Sequence, residues 1–488
     1  ADRKRFAFVN GIVKAVESRT IRTRDKNFQD KIDAILTNRW VGLPIFALVM
    51  FLVFWISQVG PGVWIAEGYE FSNGFTIPGL VSLIDMLGEW AGGLFESEGL
   101  IKSILVDGII GGVGAVIGFL PLVMVMYFLI ALLEDCGYMA RVSVVLDPIF
   151  KKVGLSGKSV IPFVIGTGCA IPGVMACRTI KDERERTATA MITPFMPCGA
   201  KLPVIALFAG VFFADASWVG TLMYFAGIVI IFLCALIINL LTGYKNRKSY
   251  FIMELPEYKI PSIKKAFISM CQRGWSYIVK AGTIILVCNF AVQLMQTFGW
   301  NLQIAESADA SILASIAGPL ASILVPVVGV LSWQLAAAAV TGFIAKENVV
   351  GTLAVCFGIS NLFNLDELAM AQGAGAQIAA AMGITKAAAL AYLMFNLFTP
   401  PCFAAIGAMN AELGSKKWLW AGIALQFSVG YSVGFLVYFF GTLFSGTGFG
   451  SIWMPLLGWG IVIAFASVLI FLIIKRNKEL AREAHEKQ

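Results

Sequence analysis

Residues 159–177 read SVIPFVIGTGCAIPGVMAC, an apolar run of 19 residues with Pro162, Gly166, Gly168, Pro172 and Gly173 inside it and basic sequence on both sides. Nineteen apolar residues suffice for one crossing of a bilayer, but cytoplasmic loops are the ones that collect Lys and Arg. A segment with both ends on the basic side must enter and leave by the same face. It therefore predicts a re-entrant hairpin. Broken backbone at membrane depth is tolerated only where protein or a wet cavity satisfies it, so a hairpin demands a bundle of spanning helices around it.

The rest of the chain supplies that bundle. Of its 488 residues, 58% are apolar before 49 glycines are counted, and only 14% are charged. A soluble domain is ~25% charged, so soluble globular and disordered classes are excluded. Long uncharged runs without strand alternation exclude a β-barrel. The net charge of +7 does not point to nucleic acid: of 37 Lys and Arg, 32 fall in the blocks 1–39, 139–186, 242–274, 416–417 and 475–488. Those blocks read as the cytoplasmic side, with both termini inside. The single histidine, His485, lies in the polar tail, which excludes catalytic triads and histidine-rich metal sites. Most of the nine cysteines lie in apolar runs and read as free thiols. No catalytic group and no resident cofactor is expected.

The resulting map is an all-α polytopic fold with eight to ten spans. Residues 1–39 form a cytoplasmic helical segment that starts without a signal peptide, and 40–100 hold the first span and an acidic external stretch. Residues 101–241 form a first gate unit, 242–274 a basic cytoplasmic loop, 275–445 a second gate unit, and 446–488 the last span and tail. Residues 187–213 cross outward through Pro194, Pro197 and Pro203, and 387–409 return through Pro400-Pro401. Proline cannot donate its backbone nitrogen and breaks a helix interior.

An internal repeat links the two units. Residues 121–145 and 326–350 share eight identities in 25 positions at an offset of 205, which sets Arg141 opposite Lys346. Pro197-Cys198 matches Pro401-Cys402 at an offset of 204. One broken span runs outward and the other inward, so the repeat reads as inverted. Inverted repeats with broken helices are a transporter architecture whose site lies at the midplane.

Several stretches resemble a known family. GTGCAIPGVMACRTIKDERERTATAMITPFMPCGAKLPVIALFAG (166–210) resembles the first gate motif of bacterial ferrous iron transport protein B, FeoB, and LLEDCGYMARVSVVLD (132–147) resembles the segment before it. GFIAKENVVGTLAV (342–355) and FNLFTPPCFAAIGAM (395–409) resemble the second gate, and KIDAILTNRWVGLPIF (31–46) the entry to the first span. The resemblance covers about residues 1–475. It implies a fold similar to concentrative nucleoside transporters, Fe²⁺ as substrate, an N-terminal GTPase domain using GTP and Mg²⁺, small cytoplasmic Feo accessory proteins and a homo-oligomer. A phosphate-binding loop reads G-x-x-x-x-G-K-[ST]. The nearest string, Gly154-Leu155-Ser156-Gly157-Lys158-Ser159, has Lys152 where the first glycine belongs and reads as a basic turn. This sequence is therefore expected to be the membrane part of a longer protein, with GTP hydrolysis gating it from the domain that it lacks.

Candidate site residues follow from the breaks. Cys198, in Pro197-Cys198-Gly199-Ala200, joins a soft donor to unwound carbonyls, a set that suits a borderline divalent metal. Its other reading is a small packed residue. Cys169 at the expected hairpin tip and Cys402 at the matching break carry the same two readings. Glu134 and Asp135 end a span, either on an ion path or at the water interface paired to Arg141. Asn396 and Thr399 put polar groups beside the second break, and Lys346 and Glu347 read as a structural pair. Fe²⁺ movement past Cys198, Cys169 and Cys402 is the expected function. Another divalent-metal carrier or a nucleoside or organic-solute carrier of the same architecture is the alternative, against which residues 159–177 offer no Asn, Gln, Asp or Glu. A membrane thiol oxidoreductase wants a C-x-x-C pair, which the sequence lacks.

Overall fold

The structure, a computed structural model, describes residues 28–70, 76–93, 110–213, 218–242, 257–301, 303, 308–357, 363–364, 369–370, 374–446 and 453–485, with Phe8 and Ile12. Most of the 1–39 segment, and the loop 242–274 as far as residue 256, lie outside the described residues.

A short helix, α1 (Phe28–Leu36), leads to the first span. Asn38 caps that span, α2 (Arg39–Gln58), by accepting the Trp40 amide at 3.1 Å, as short polar side chains do at helix starts. The chain continues through α3 (Pro61–Glu67), a two-stranded antiparallel ribbon (Gly68–Glu70 and Thr76–Pro78) and α4 (Leu80–Gly93). The first gate unit comprises α5 (Gly111–Asp135), α6 (Tyr138–Phe150), α7 (Val160–Gly168), α8 (Ala170–Ala176), α9 (Glu183–Ile192), α10 (Leu202–Phe213) and α11 (Trp218–Thr242). α12 (Ile263–Tyr277) passes through a π-helical turn, Ile278–Gly282, into α13 (Thr283–Thr297). The second unit is α14 (Ile312–Val328), α15 (Trp333–Ile344), α16 (Asn348–Cys356), α17 (Ala374–Met382), α18 (Lys386–Phe398), α19 (Phe403–Leu413) and α20 (Lys416–Ser445), and α21 (Trp453–His485) ends the chain.

Among the described residues six helices are long and apolar enough to cross a membrane, and eight if two bent pairs each count as one. The pairs bend by 81° between α5 and α6 and by 98° between α14 and α15. Gly137, at φ 81°, turns the first corner. Gly329, at φ 77°, turns the second, where a Cβ would lie 2.0 Å from the Tyr438 hydroxyl oxygen. The 187–213 and 387–409 runs are both broken at the prolines that the sequence places there. α18 is nearly all buried, with Phe398 and Tyr392 fully so, and Phe195 meets Phe398 at 6.2 Å between ring centroids. α21 lies on the perimeter, only 6% of its apolar window being covered by protein.

The expected hairpin is present as α7 and α8. Its two arms touch backbone to backbone: a Cβ on Gly173 would lie 2.7 Å from the Gly166 Cα. A second hairpin, α15–α16, has a tip of the same shape. Cys169 takes φ −149°, ψ 133°, and Ala345 takes φ −149°, ψ 131°. The 121–145/326–350 alignment does not pair like elements, since α5 runs unbroken to Asp135 whereas its partner segment turns at Gly329. The Cys198/Cys402 match does hold, each residue lying in a break between two helices.

Two clusters on the basic side tie elements together. Arg141, 2% exposed, donates to Asp33 at 2.8 Å and to the Gly137 carbonyl at 2.8 Å, and stacks 3.6 Å from the Tyr258 ring. The Tyr258 hydroxyl donates to Asp33 at 2.6 Å. Burial works to raise the Asp33 pKa, but the hydrogen bonds from Arg141 and Tyr258 outweigh it and hold the carboxyl below its ordinary range. Burial, reinforced by the Asp33 partner, pushes the Tyr258 phenol up to about 12. In the second cluster the buried Glu185 carboxylate accepts from the Ser156 amide and hydroxyl and from the Ser159 hydroxyl, and Asp147 accepts the Gly157 amide at 2.8 Å. The phosphate-loop-like string thus holds the protein's own carboxylates.

Candidate functional site

Four interruptions of helix converge at the centre of the molecule. At the first break α9 ends at Ile192, a 3₁₀ turn covers Thr193–Phe195, and Cys198 sits in extended backbone at φ −105°, ψ 166°. At the second, Thr399, Pro400, Pro401 and Cys402 separate α18 from α19. The two hairpin tips supply Cys169 and the run Ala345-Lys346-Glu347. Cys198, Pro401, Cys402, Cys169 and Ala345-Lys346-Glu347 line one cavity of about 40 Å³, together with Lys201 and Tyr277. Cys169 is buried; Cys198 and Cys402 are half-buried. The three cysteines expected from the sequence therefore meet, although among the described residues no group of three or more His, Cys, Asp or Glu is placed to hold a metal ion at once.

A vestibule of about 740 Å³ adjoins this cavity and shares Ile171 and Tyr277 with it. Arg178, Arg273 and Glu134 also line the vestibule, so it lies toward the basic side of the molecule. Arg178 bridges to Glu412, tying the end of the first hairpin to α19. Arg273 bridges to Glu134 at 3.2 Å.

The remaining expected residues separate. Glu134 faces the vestibule, whereas Asp135 accepts the Ser262 amide at 2.8 Å and caps α12 from outside the cavities. Neither pairs with Arg141, which Asp33 takes. Lys346 does not pair with Glu347. Its ammonium donates to the Asn396 carbonyl at 3.0 Å, the Asn396 Oδ1 at 3.1 Å and the Thr399 hydroxyl at 3.4 Å. Asn396 and Thr399 thus hold a lysine and do not line the cysteine cavity. Sequence reasoning missed Glu347, Lys201 and Tyr277 as cavity residues. For the first two a signal existed, because an ionisable residue inside an apolar run is a functional candidate by default. For Tyr277 there was none.

A family model described as Gate, nucleoside recognition, matches residues 116–212 and 278–416, a span that includes both hairpins and both breaks. A second, described as ferrous iron transport protein B C terminus, matches residues 221–273. The chain belongs to the FeoB family. It is 35% identical over 424 residues to the Fe(2+) transporter FeoB of Staphylococcus aureus (strain COL), covering 86% of this chain and 60% of the relative. It is 31% identical over 465 residues to the Fe(2+) transporter FeoB of Escherichia coli (strain K12), covering 87% and 59%. It is 33% identical over 485 residues to the Fe(2+) transport protein A/Fe(2+) transporter FeoB fusion protein of Porphyromonas gingivalis (strain ATCC BAA-308 / W83), covering 90% and 55%. The chain thus spans somewhat over half the length of these FeoB relatives. No solved structure matches it.

Proposed function

We propose that this chain is the membrane pathway of a ferrous iron uptake transporter, moving Fe²⁺ across the cytoplasmic membrane into the cell. The observation that carries the reading is the meeting of Cys169, Cys198 and Cys402, from three separate broken elements, at one small central cavity with Glu347. Thiolates are soft donors that suit Fe²⁺ better than Mg²⁺ or Ca²⁺. Because no three of these groups are poised around one point, the ion passes between them in turn. Weak, sequential sites favour conduction, since each must release as well as capture. The vestibule is the exit toward the cytoplasm, and both termini lie on that side. The chain itself catalyses no covalent step and needs no resident cofactor; GTP and Mg²⁺ act in an N-terminal GTPase domain of the whole protein. The relative whose name joins transport protein A to FeoB supports small Feo accessory proteins as partners, and a homo-oligomer fits the same reading.

The test is Fe²⁺ uptake into proteoliposomes by the chain joined to its GTPase domain. Cys198→Ser keeps size and a hydroxyl but removes the soft donor, and is expected to lower uptake without loss of folding. Wild-type uptake by Cys198→Ser would sink the thiol pathway. A second reading, a nucleoside-like solute, draws support from the vestibule, whose 740 Å³ is the size of a small-molecule pocket. Uptake of labelled nucleosides in the same vesicles separates the two.

A further inference from the structure

In transporters built on broken helices, unwound carbonyls and the C-terminal ends of half-helices are where coupling cations such as Na⁺ are bound. This chain has both features, and in both the oxygens are already taken. The buried Lys201 ammonium lies 2.8 Å from the Leu397 carbonyl, 3.1 Å from that of Pro194 and 3.5 Å from that of Met196. Lys346 lies on the Asn396 carbonyl, the Asn396 side-chain oxygen and the Thr399 hydroxyl. An ammonium has three donors, and each lysine meets three oxygens. Two of those oxygens, on Asn396 and Leu397, are consecutive carbonyls at the C-terminal end of α18. Such carbonyls have no partner within the helix, and they form the negative end of its dipole.

Two further observations mark these as cation sockets. Among the described residues neither lysine forms an ion pair, and the hydrogen-bond acceptors of both ammonium groups are neutral oxygens. The Asn396 amide, buried beside Lys346, gives its oxygen to the lysine and leaves its own Nδ2 without a partner. Such an unmet donor is costly, and the arrangement fits a site organised around a positive charge. The Lys201 socket also joins the two gate units, since Lys201 follows the first break and grips the helix that ends at the second.

We infer that Lys201 and Lys346 are built-in cations, occupying the places where a carrier of this architecture would bind a coupling alkali ion, so that this one works without Na⁺ or K⁺. The inference rests on the reading of the chain as a carrier, but its test does not require iron. Thermal unfolding of the whole purified protein in detergent is measured in NaCl, KCl and choline chloride at equal ionic strength. The wild type is expected to melt at one temperature in all three. Lys346→Ala empties a socket and is expected to melt on the order of 5 °C lower in choline. Na⁺, K⁺ or methylammonium is expected to restore half or more of that loss in a saturable way. Lys346→Met, which fills the socket with an apolar chain, is expected to fall without recovery. Saturable stabilisation of the wild type by Na⁺ or K⁺ overturns the inference. So does a Lys346→Ala protein that none of the three cations restores. If Lys346→Ala does not fold, Lys201→Ala is measured in the same way, and radioactive Na⁺ binding to the wild type decides by itself, stoichiometric binding being fatal. Failure of Fe²⁺ uptake in vesicles would count against the proposed function and leave these readouts unchanged.

Discussion

Substituting Gly173 by alanine tests whether the first hairpin positions the site. A Cβ there would lie 2.7 Å from the Gly166 Cα, 2.8 Å from its amide nitrogen and 2.9 Å from the Pro162 carbonyl oxygen. All three are backbone atoms and cannot rotate away. Carbon pairs prefer about 3.5–4.0 Å, so the arms must part by about 1 Å. Overpacking of this kind costs about 1–3 kcal/mol, and for a chain of 488 residues melting should fall by roughly 1–4 °C. Cys169 sits at the tip that these arms support, so it shifts with them. A displacement of that size in a positioned site costs on the order of tenfold or more in rate. The assay pairs thermal unfolding in detergent with Fe²⁺ uptake in proteoliposomes. Gly318→Ala is the control, because its Cβ would meet nothing within 4 Å; melting there should move by no more than about 1 °C. A Gly173→Ala protein with wild-type melting and uptake would refute the claim that close contact of the arms sets the tip.

Cys198→Ser combined with Cys169→Ser should transport less Fe²⁺ than either single variant, whereas Cys234→Ser, buried away from the cavity, should match the wild type in the same vesicles. The Arg141–Asp33–Tyr258 cluster should show a defined pH window. The Asp33 carboxyl is held below its ordinary value of 3.8, so its contribution is full above that pH and is lost as pH falls further. The Tyr258 phenol is raised from 10.0 to about 12, so its contribution is full below pH 10 and fades as pH climbs through 12. The stability difference between wild type and Tyr258→Phe should therefore be flat between about pH 5 and 10 in denaturant melts; a transition near neutrality would contradict the cluster. Glu185→Ala leaves the two buried donors of Ser156 without an acceptor and should cost about 2 kcal/mol or more in the same melts, while neither this chain nor its Lys158→Ala variant should bind GTP in a filter assay. Tags at residues 250 and 480 should be reached only from the cytoplasm, and a tag near residue 70 only from outside.

The parts of the fold that were legible are those written by local chemistry. Pro162, Gly166, Pro172 and Gly173 announce the first hairpin, because proline and close-packed glycine act where they stand. Pro194, Pro197, Pro400 and Pro401 announce the two breaks for the same reason. The second hairpin has no proline to mark it, and of its glycines only Gly342, whose Cβ would lie 2.7 Å from the Val349 side chain, is closely packed. Its tip is Ala345-Lys346-Glu347, ordinary helix-forming residues, and what holds it open lies 50 residues away, on Asn396. Pairing Lys346 with Glu347 was a neighbour's reading of a partnership that the fold makes at long range. The three cysteines were legible because soft donors next to broken backbone are rare. Tyr277 was not, since nothing about a tyrosine near the end of an amphipathic helix tells which cavity it will wall.

The disparity between the two cavities has a consequence for selection among ions. The 740 Å³ vestibule is large enough for an ion with its full water shell, whereas the 40 Å³ cavity beyond Tyr277 and Ile171 has room for about three waters. An octahedral hydrated dication that passes this neck must therefore surrender about half of its waters or more. Mg²⁺ gives up water reluctantly and gains little from thiols, so it meets a dehydration barrier with no compensating ligand. On the proposed reading, Fe²⁺ loses the same waters and recovers sulfur. Discrimination would then arise from the rate of desolvation at the neck, even if the equilibrium affinity of the cavity for either ion were slight.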